Sequence, residues 1–370
     1  MSEIGSSQRS GSPGERPAGD DARHDEPSST EAANAQAERE RREGNPLQRA
    51  VHAVDDTQAR SPLLSFPLAV VKKFGDDDGG SLAALIAYNG FFSIFPLMLA
   101  LTTVLGFVFE SDSELRKSIT HSALQQFPVL GPQLEQKSLS GSWLALAVGL
   151  AGAVWAGLGV LNAAQNAFNA VWDVPRVDRP SFVARTVKGL VMLLVAAAFL
   201  VLSGFLSGVG QAHPGVSVVQ ILSILGSVVV NFVLFAAAFR ILTTADVSWR
   251  DVAPGALLAA IGWTVLLLIG QWFVESRIQG ATNVYGTFAV VLGLLSWLYL
   301  ASQMTLFSAE VNVVLKKRLW PRSIVNPPVR DADERSFSRQ AKEQERIPPQ
   351  DVEVDYSGPS GRSDHDRRAG

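Results

Sequence analysis

The chain has 370 residues, a formal net charge of −3 and no cysteine. The near-neutral charge does not favour a nucleic-acid-binding domain, and the lack of cysteine excludes disulfides, thiolate metal sites and cysteine nucleophiles. Apolar residues are concentrated between positions 81 and 315, whereas both ends are rich in Ser, Pro, Gly, Glu, Arg and Asp. This distribution predicts an all-α integral membrane protein.

Both ends of the chain have a composition that is typical of disorder. Residues 1–62 and 319–370 offer too little apolar surface to offset the entropy lost on ordering, so we expect two disordered cytoplasmic tails. Residues 63–80 form a juxtamembrane interfacial segment, in which apolar residues alternate with Lys72 and Lys73. It is predicted to be either a short helix in the headgroup region or a plain linker.

Six apolar stretches within residues 81–318 are long enough to cross a hydrocarbon core, which takes about 20 helical residues. The second of them begins at Trp143 and becomes polar after Leu161. The apolar runs lack the alternation of a transmembrane barrel, so we predict a bundle of six transmembrane helices. The predicted spans are 81–109, a second beginning at 143, 186–208, 218–242, 252–274 and 284–315.

Lysine and arginine are distributed unequally between the two sides of this bundle. One side holds only Arg116, Lys117, Lys137 and Arg277. Cationic loops stay in the cytoplasm, so the other side is predicted to be cytoplasmic, with both termini on it. That side holds Lys72, Lys73, Arg176, Arg179, Arg185, Lys188, Arg240, Arg250, Lys316, Lys317, Arg318 and Arg322.

The end of the second predicted helix carries an amide-rich face. Asn162, Gln165 or Asn166, and Asn169 recur at a spacing of three to four residues. This face would either line a polar pathway or form hydrogen bonds between helices, and the second interpretation is favoured because amides commonly pack membrane helices together.

Glu310 is the best single functional candidate, because a carboxylate in the last helix needs a cation, water or a donor. Arg240, near the same end of the fourth helix, is the predicted partner. A functional role and a structural ion pair carry equal weight for these two residues.

The first predicted helix is interrupted by Tyr88 and by Pro96, which should kink it. Such a break either shapes a cavity or is a packing bend, and the bend is favoured. Asp76, Asp77 and Asp78 precede this helix. They would bind a cation or, as we expect, cap its free amides.

The sequence contains no pattern of a cofactor or metal site. The five histidines form no cluster, and there is no phosphate-binding loop. The predicted spans show no arrangement of Ser, His and Asp that indicates a catalytic triad. We therefore expect no enzymatic activity, no cofactor and no metal.

Three stretches resemble the YihY/BrkB family of bacterial inner-membrane proteins. They are 76–97, 166–175 and the segments of 285–312 that contain Tyr285-Gly-Thr, Trp297-Leu-Tyr-Leu and Ala309-Glu-Val-Asn. The resemblance implies six spans, variable tails and a link to serum resistance in some members; the label ribonuclease BN on others is a misassignment. The sequence departs from the family pattern at Asn89 and Gly90. The resemblance points to Tyr88, Pro96, Asn169, Tyr285, Gly286, Glu310 and Asn312 as positions to test.

The leading hypothesis is a transporter-like protein, or one involved in exporting an envelope component. The alternative is a non-transporting scaffold whose tails recruit envelope machinery. A ribonuclease is the least favoured function. The expected partners are the lipid bilayer and a substrate or envelope protein that the sequence does not identify. Nucleic acid is not expected, and oligomerisation stays open.

Overall fold

A computed structural model describes residues 35, 39, 46–108, 143–211, 217–273, 279–324, 329–354 and 356. The helices in these ranges are α1 (Pro46–Arg60), α2 (Pro62–Asp76), α3 (Gly79–Val108), α4 (Trp143–Val171), α5 (Phe182–Gln211), α6 (Ser217–Leu242), α7 (Trp249–Phe273), α8 (Gln279–Lys317) and α9 (Asp331–Lys342). No strand occurs in the described ranges, which confirms the predicted all-α membrane fold.

Helices α3 to α8 are the six described helices that are long and apolar enough to cross a membrane. Their own backbone hydrogen bonds satisfy the peptide groups, as lipid requires. Each packs against the next in the chain, and α8 also packs against α3, so the six form a closed ring. Helix α4 continues through the amide-rich stretch to Val171, because lateral contacts with neighbouring helices accommodate its polar side chains.

One end of the ring, here called the charged end, carries the start of α3, the α4–α5 and α6–α7 connections and the end of α8. Helix α2 folds back at this end and packs along α8. The stacked rings of Phe74 and Phe307, with centroids 3.9 Å apart, join the two helices. Ser65, Ala69 and Lys73 lie four residues apart on the buried face of α2, so its packing places Lys73 inside the protein.

Parts of both predicted tails are ordered, which differs from the expectation of disorder. Helix α1 lies within 1–62 and α9 within 319–370. The side chain of Arg322 bonds Asp76 at 2.6 Å and Asp333 at 2.9 Å, and Asp55 accepts from the Ile324 N–H at 2.7 Å. These charge-assisted bonds hold the segments in place where apolar burial alone would not. Residues 63–76 belong to helix α2, the helical alternative of the two predicted for them.

Candidate functional site

Five charged side chains meet inside the charged end of the ring and form what we call the charge cluster. They are Lys73 of α2, Asp77 at its C-terminal end, Asp173 after α4, and Glu310 and Lys317 of α8. Each comes from a segment that ends or begins at this end of the ring, so the fold brings together charges from three distant parts of the sequence.

Lys73 is the centre of the cluster and is only 1% exposed. Its ammonium group donates to Asp77, to Asp173 Oδ1 at 3.0 Å and to the Val171 carbonyl at 3.3 Å. Burial opposes the charge, but the attraction of Glu310, Asp173 and Asp77 outweighs it, so the pKa of Lys73 lies above its usual value. Lys73 is therefore a permanent cation.

Asp173 joins two cations. Oδ1 pairs with Lys73 and Oδ2 with Lys317 at 2.8 Å, while Lys317 also donates to the Trp172 carbonyl at 2.6 Å. Burial disfavours the charge on Asp173, but the two lysines hold its pKa below its ordinary value. Asp173 stays ionised.

The backbone at Asp173 explains why an aspartate stands there. Its φ is 52°, in the left-handed region, and the Val174 N–H reaches back to the Asn169 carbonyl at 2.9 Å to close the end of α4. Asn and Asp tolerate this conformation better than most residues. The turn points the carboxylate at the two lysines.

Glu310 is fully buried within the membrane-spanning part of α8. Neither of its carboxylate oxygens receives a hydrogen bond from a donor among the described residues. Its electrostatic neighbours are Lys73, Asp77 and Asp173. A buried carboxylate without a donor is costly, so this position requires a separate explanation.

Asp77 is the cluster member nearest the junction of α2 and α3. Burial raises the pKa of Asp77 to about 6, although Lys73 attracts its charge, and the repulsion of Asp173 adds to the rise. Asp77 therefore titrates close to physiological pH, unlike Asp173. Its carboxylate pairs with Lys73, and the expectation that it caps α3 stays a prediction.

The predicted pair of Arg240 and Glu310 does not form. The guanidinium carbon of Arg240 lies 4.7 Å above the ring centroid of Trp249, on an exposed part of α6. Lys73 supplies the positive charge beside Glu310 instead. Because α2 folds back along α8, a residue from outside the spans reaches the position that Arg240 was expected to fill.

The amide-rich face mainly joins helices. Asn162 accepts from the Arg185 side chain at 2.8 Å, and Gln165 donates to the Arg185 carbonyl at 3.1 Å. Asn169, 2% exposed, accepts from the Thr244 N–H at 2.8 Å, whereas Asn166 is exposed. These contacts are those of interhelical packing.

Asn312 makes the closest contact between α7 and α8. It is fully buried, and its Oδ1 accepts from the Gly255 N–H at 2.6 Å. A Cβ at Gly255 would lie 2.0 Å from the Ser308 carbonyl oxygen. Only glycine permits this approach, and Pro254 precedes it within α7.

The remaining predicted positions lie apart from the charge cluster. Tyr88 is 60% exposed and packs on Phe92, with the ring centroids 4.8 Å apart. Pro96 lies within α3 and faces Gly152 of α4. Tyr285 and Gly286 belong to α8, but their surroundings are outside the described part of the structure.

Sequence reasoning missed Lys73, Asp173 and Lys317 as site residues, and it gave Asp77 as a helix cap or, less favoured, a cation ligand. Asp173 lies in the stretch 166–175 and Asp77 in 76–88, both of which carry the family resemblance, so the motifs contained a signal for these two. In the described ranges, no group of three or more His, Asp or Glu side chains has the arrangement of a metal site. A groove between α6 and α7 is lined by apolar residues such as Val228, Phe232 and Leu257.

The segment that carries the cluster matches known proteins. The family model "Virulence factor BrkB" matches residues 70–331, more than half of the chain. The putative ribonuclease-like protein YfkH of Bacillus subtilis is 24% identical over 269 residues, which cover 69% of this chain and 96% of that protein. The inner membrane protein YhjD of Escherichia coli is 25% identical over 292 residues, covering 72% and 86%.

A UPF0761 membrane protein of Stenotrophomonas maltophilia is 29% identical over 275 residues. These cover 68% of this chain but only 61% of that relative. No solved structure matches the chain.

Proposed function

Because this chain belongs to the BrkB family of membrane proteins, we propose that it is a transport protein of the inner (plasma) membrane. One observation carries the proposal: Glu310 is a fully buried acid in a membrane-spanning helix, and its oxygens have no donor among the described residues. Ionisable groups at such positions mark substrate and ion pathways in membrane proteins, because an inert position would be filled more cheaply by an apolar side chain.

Two proline-containing spanning helices support transport. Pro96 lies inside α3 and Pro254 inside α7, and the N–H that follows Pro254 bonds Asn312 of the next helix. Both helices are continuous through their prolines, but each proline removes one backbone donor and loosens the helix there, which allows it to hinge. The helices α3 and α7 lie on either side of α8, which packs against both.

The charged end is proposed to face the cytoplasm, as the distribution of lysine and arginine predicts. The chain has no cysteine, so single cysteines report sidedness directly. With a membrane-impermeant maleimide on intact spheroplasts, Ser248→Cys should label only after permeabilisation, and Ser111→Cys should label at once. The reverse pattern would reverse the orientation.

Transport is tested with the full chain in liposomes. The probes are fluorescent phospholipids, followed by surface quenching, and small charged solutes, followed by uptake. Wild-type protein should move at least one probe, and Glu310→Gln should abolish that movement. Glu353→Gln is the matched control, because it makes the same change at an exposed position. Equal movement by wild type and Glu310→Gln would remove Glu310 from the pathway.

The scaffold alternative is favoured by a different observation. Part of the amide face is occupied by structural bonds, since Oδ1 of Asn162 and Oδ1 of Asn169 each accept from a protein group. The buried Oε1 of Gln165 has no partner among the described residues. A scaffold predicts no flux of any probe, together with partner capture that is lost when residues 1–45 are deleted. The transport proposal predicts flux that survives this deletion.

A further inference from the structure

We propose that Asp77 and Glu310 share one proton, which makes the charge cluster a proton-binding site. Nothing in the family match assigns such a site. Its coupling to transport rests on the proposed function, but the presence of the proton does not.

The first reason is the geometry of the two acids. Asp77 and Glu310 are neighbours inside the charge cluster, and both side chains are buried. Two ionised carboxylates have no proton to donate, so both oxygens of Glu310 lack a donor when both acids are charged. One proton on Glu310 gives this side chain an O–H donor toward Asp77. It provides one Glu310 oxygen with a partner that the described residues do not otherwise supply.

The second reason is the charge balance. The cluster contains two ammonium groups and three carboxyl groups, which sum to −1 when all are ionised. With Glu310 neutral, Lys73 and Lys317 balance Asp77 and Asp173, and the buried cluster carries no net charge. A buried net charge is expensive, so the neutral state is preferred.

The surroundings of the cluster do not supply an additional cation to replace the proton. Arg339 lies near Lys317, and Glu343 lies near Lys73 and Asp173. Glu343 is itself neutralised by Arg179, with Nη2 and Oε1 2.7 Å apart. Arg176 also lies near Glu343, so the arms from α9 and from the α4–α5 connection carry more cations than anions at the rim. These cations do not donate to Glu310, whose electrostatic neighbours are Lys73, Asp77 and Asp173.

A proton can reach the site through the α2–α3 junction. Asp76, next to Asp77, is partly exposed and bonds Arg322. Release of the proton leaves a buried cluster with a net charge of −1, and uptake restores neutrality. This change in charge at the base of α3 and α8 is the proposed coupling step. Lys73 stays charged throughout and holds Asp77 in position.

Infrared spectroscopy of the full chain in nanodiscs tests the proton directly. Wild type at neutral pH should show a carbonyl-stretch band of a protonated carboxylic acid, which isotopically labelled glutamate should shift. The band should be lost in Glu310→Gln, retained in Glu353→Gln and displaced in Asp77→Asn. Absence of the band in wild type across the range from about pH 5 to pH 8 would overturn the proposal. A band that Asp77→Asn leaves in place would show an isolated protonated glutamate and no shared proton, and would also overturn it.

Thermal unfolding gives a second measurement that does not depend on transport. Glu310→Gln keeps an N–H donor toward Asp77 and so imitates the protonated state. Because the folded protein holds a proton that the unfolded chain releases, wild type should lose stability as the pH rises above the ordinary pKa of glutamate. Glu310→Gln should not show this loss. Replacing sodium by choline should leave the wild-type profile unchanged, and a sodium-dependent profile would assign the site to a metal cation instead. If the band is present but no probe moves in liposomes, the proton site stands and the proposed transport function fails.

Discussion

Replacing Gly255 by alanine tests the contact between α7 and α8. The added Cβ would lie 2.0 Å from the Ser308 carbonyl oxygen and 2.5 Å from Asn312 Nδ2, whereas ordinary contact begins at 3.4 Å. The Ser308 carbonyl oxygen belongs to the backbone of α8 and cannot rotate away, so the two helices must separate. Overpacking of this kind costs about 1–3 kcal/mol. Loss of the Gly255–Asn312 hydrogen bond adds about 0.5–1.5 kcal/mol.

We therefore expect Gly255→Ala to destabilise the protein by about 1.5–4.5 kcal/mol, the sum of these two costs. The assay is unfolding by added SDS in mixed micelles, followed by tryptophan fluorescence. Gly149→Ala is the control, because a Cβ there would meet Ala100 at 3.5 Å, an ordinary contact. If Gly255→Ala changed stability by less than about 0.5 kcal/mol, or by no more than Gly149→Ala, the close approach would not exist in solution.

Three further predictions concern the buried Lys73, the left-handed backbone at Asp173, and the ion pairs of Asp55 and Asp333. Lys73→Met should lower the unfolding free energy in SDS by about 3–5 kcal/mol, because it leaves buried carboxylates uncompensated. Lys342→Met, a change at an exposed position, should have little effect. Equal losses in the two variants would argue against burial of Lys73. Asp173→Ala should unfold more easily than Asp173→Asn. Both variants lose the charge, but the left-handed backbone also destabilises alanine by about 1–2 kcal/mol. Indistinguishable melting temperatures of the two variants would refute this. Hydrogen bonds and cations hold the pKa values of Asp55 and Asp333 below normal against burial, so their contribution is present above the unfolded pKa and lost as pH falls through the folded values. Protease should therefore cleave around α9 in acid and spare it at neutral pH, and resistance that persists in strong acid would contradict the ionic attachment.

The six spans were predictable because their signal is local. A helix that crosses lipid needs about 20 apolar residues in succession, and each stretch shows this by itself. The helices α1 and α9 were not predictable, because the prediction of disorder in the tails considered only their low content of apolar residues. Asp55 bonds Ile324 across 269 positions, and no local pattern encodes such a contact.

The site was predictable only in part. Glu310 was identified because an acid in an apolar helix is conspicuous, but its partner was expected on a neighbouring span. Lys73 instead arrives through the fold-back of α2 along α8, which the order of the spans does not reveal. The hydrogen-bonding interpretation of Asn162 and Asn169 was the favoured one, since an amide face suits packing regardless of where its partners lie.

The bridge that Asp173 makes between Lys73 and Lys317 has a consequence for biogenesis. The ribosome releases Lys73, Asp77 and Asp173 early, whereas Glu310 and Lys317 emerge only with the final hydrophobic segment. A nascent chain that lacks that segment has one ammonium group, from Lys73, and two carboxylates, from Asp77 and Asp173. Its ring of helices is also still open. The second ammonium group, from Lys317, and ring closure therefore arrive together, when the last segment inserts. Chains truncated before it should remain recognisably immature to membrane quality-control proteases.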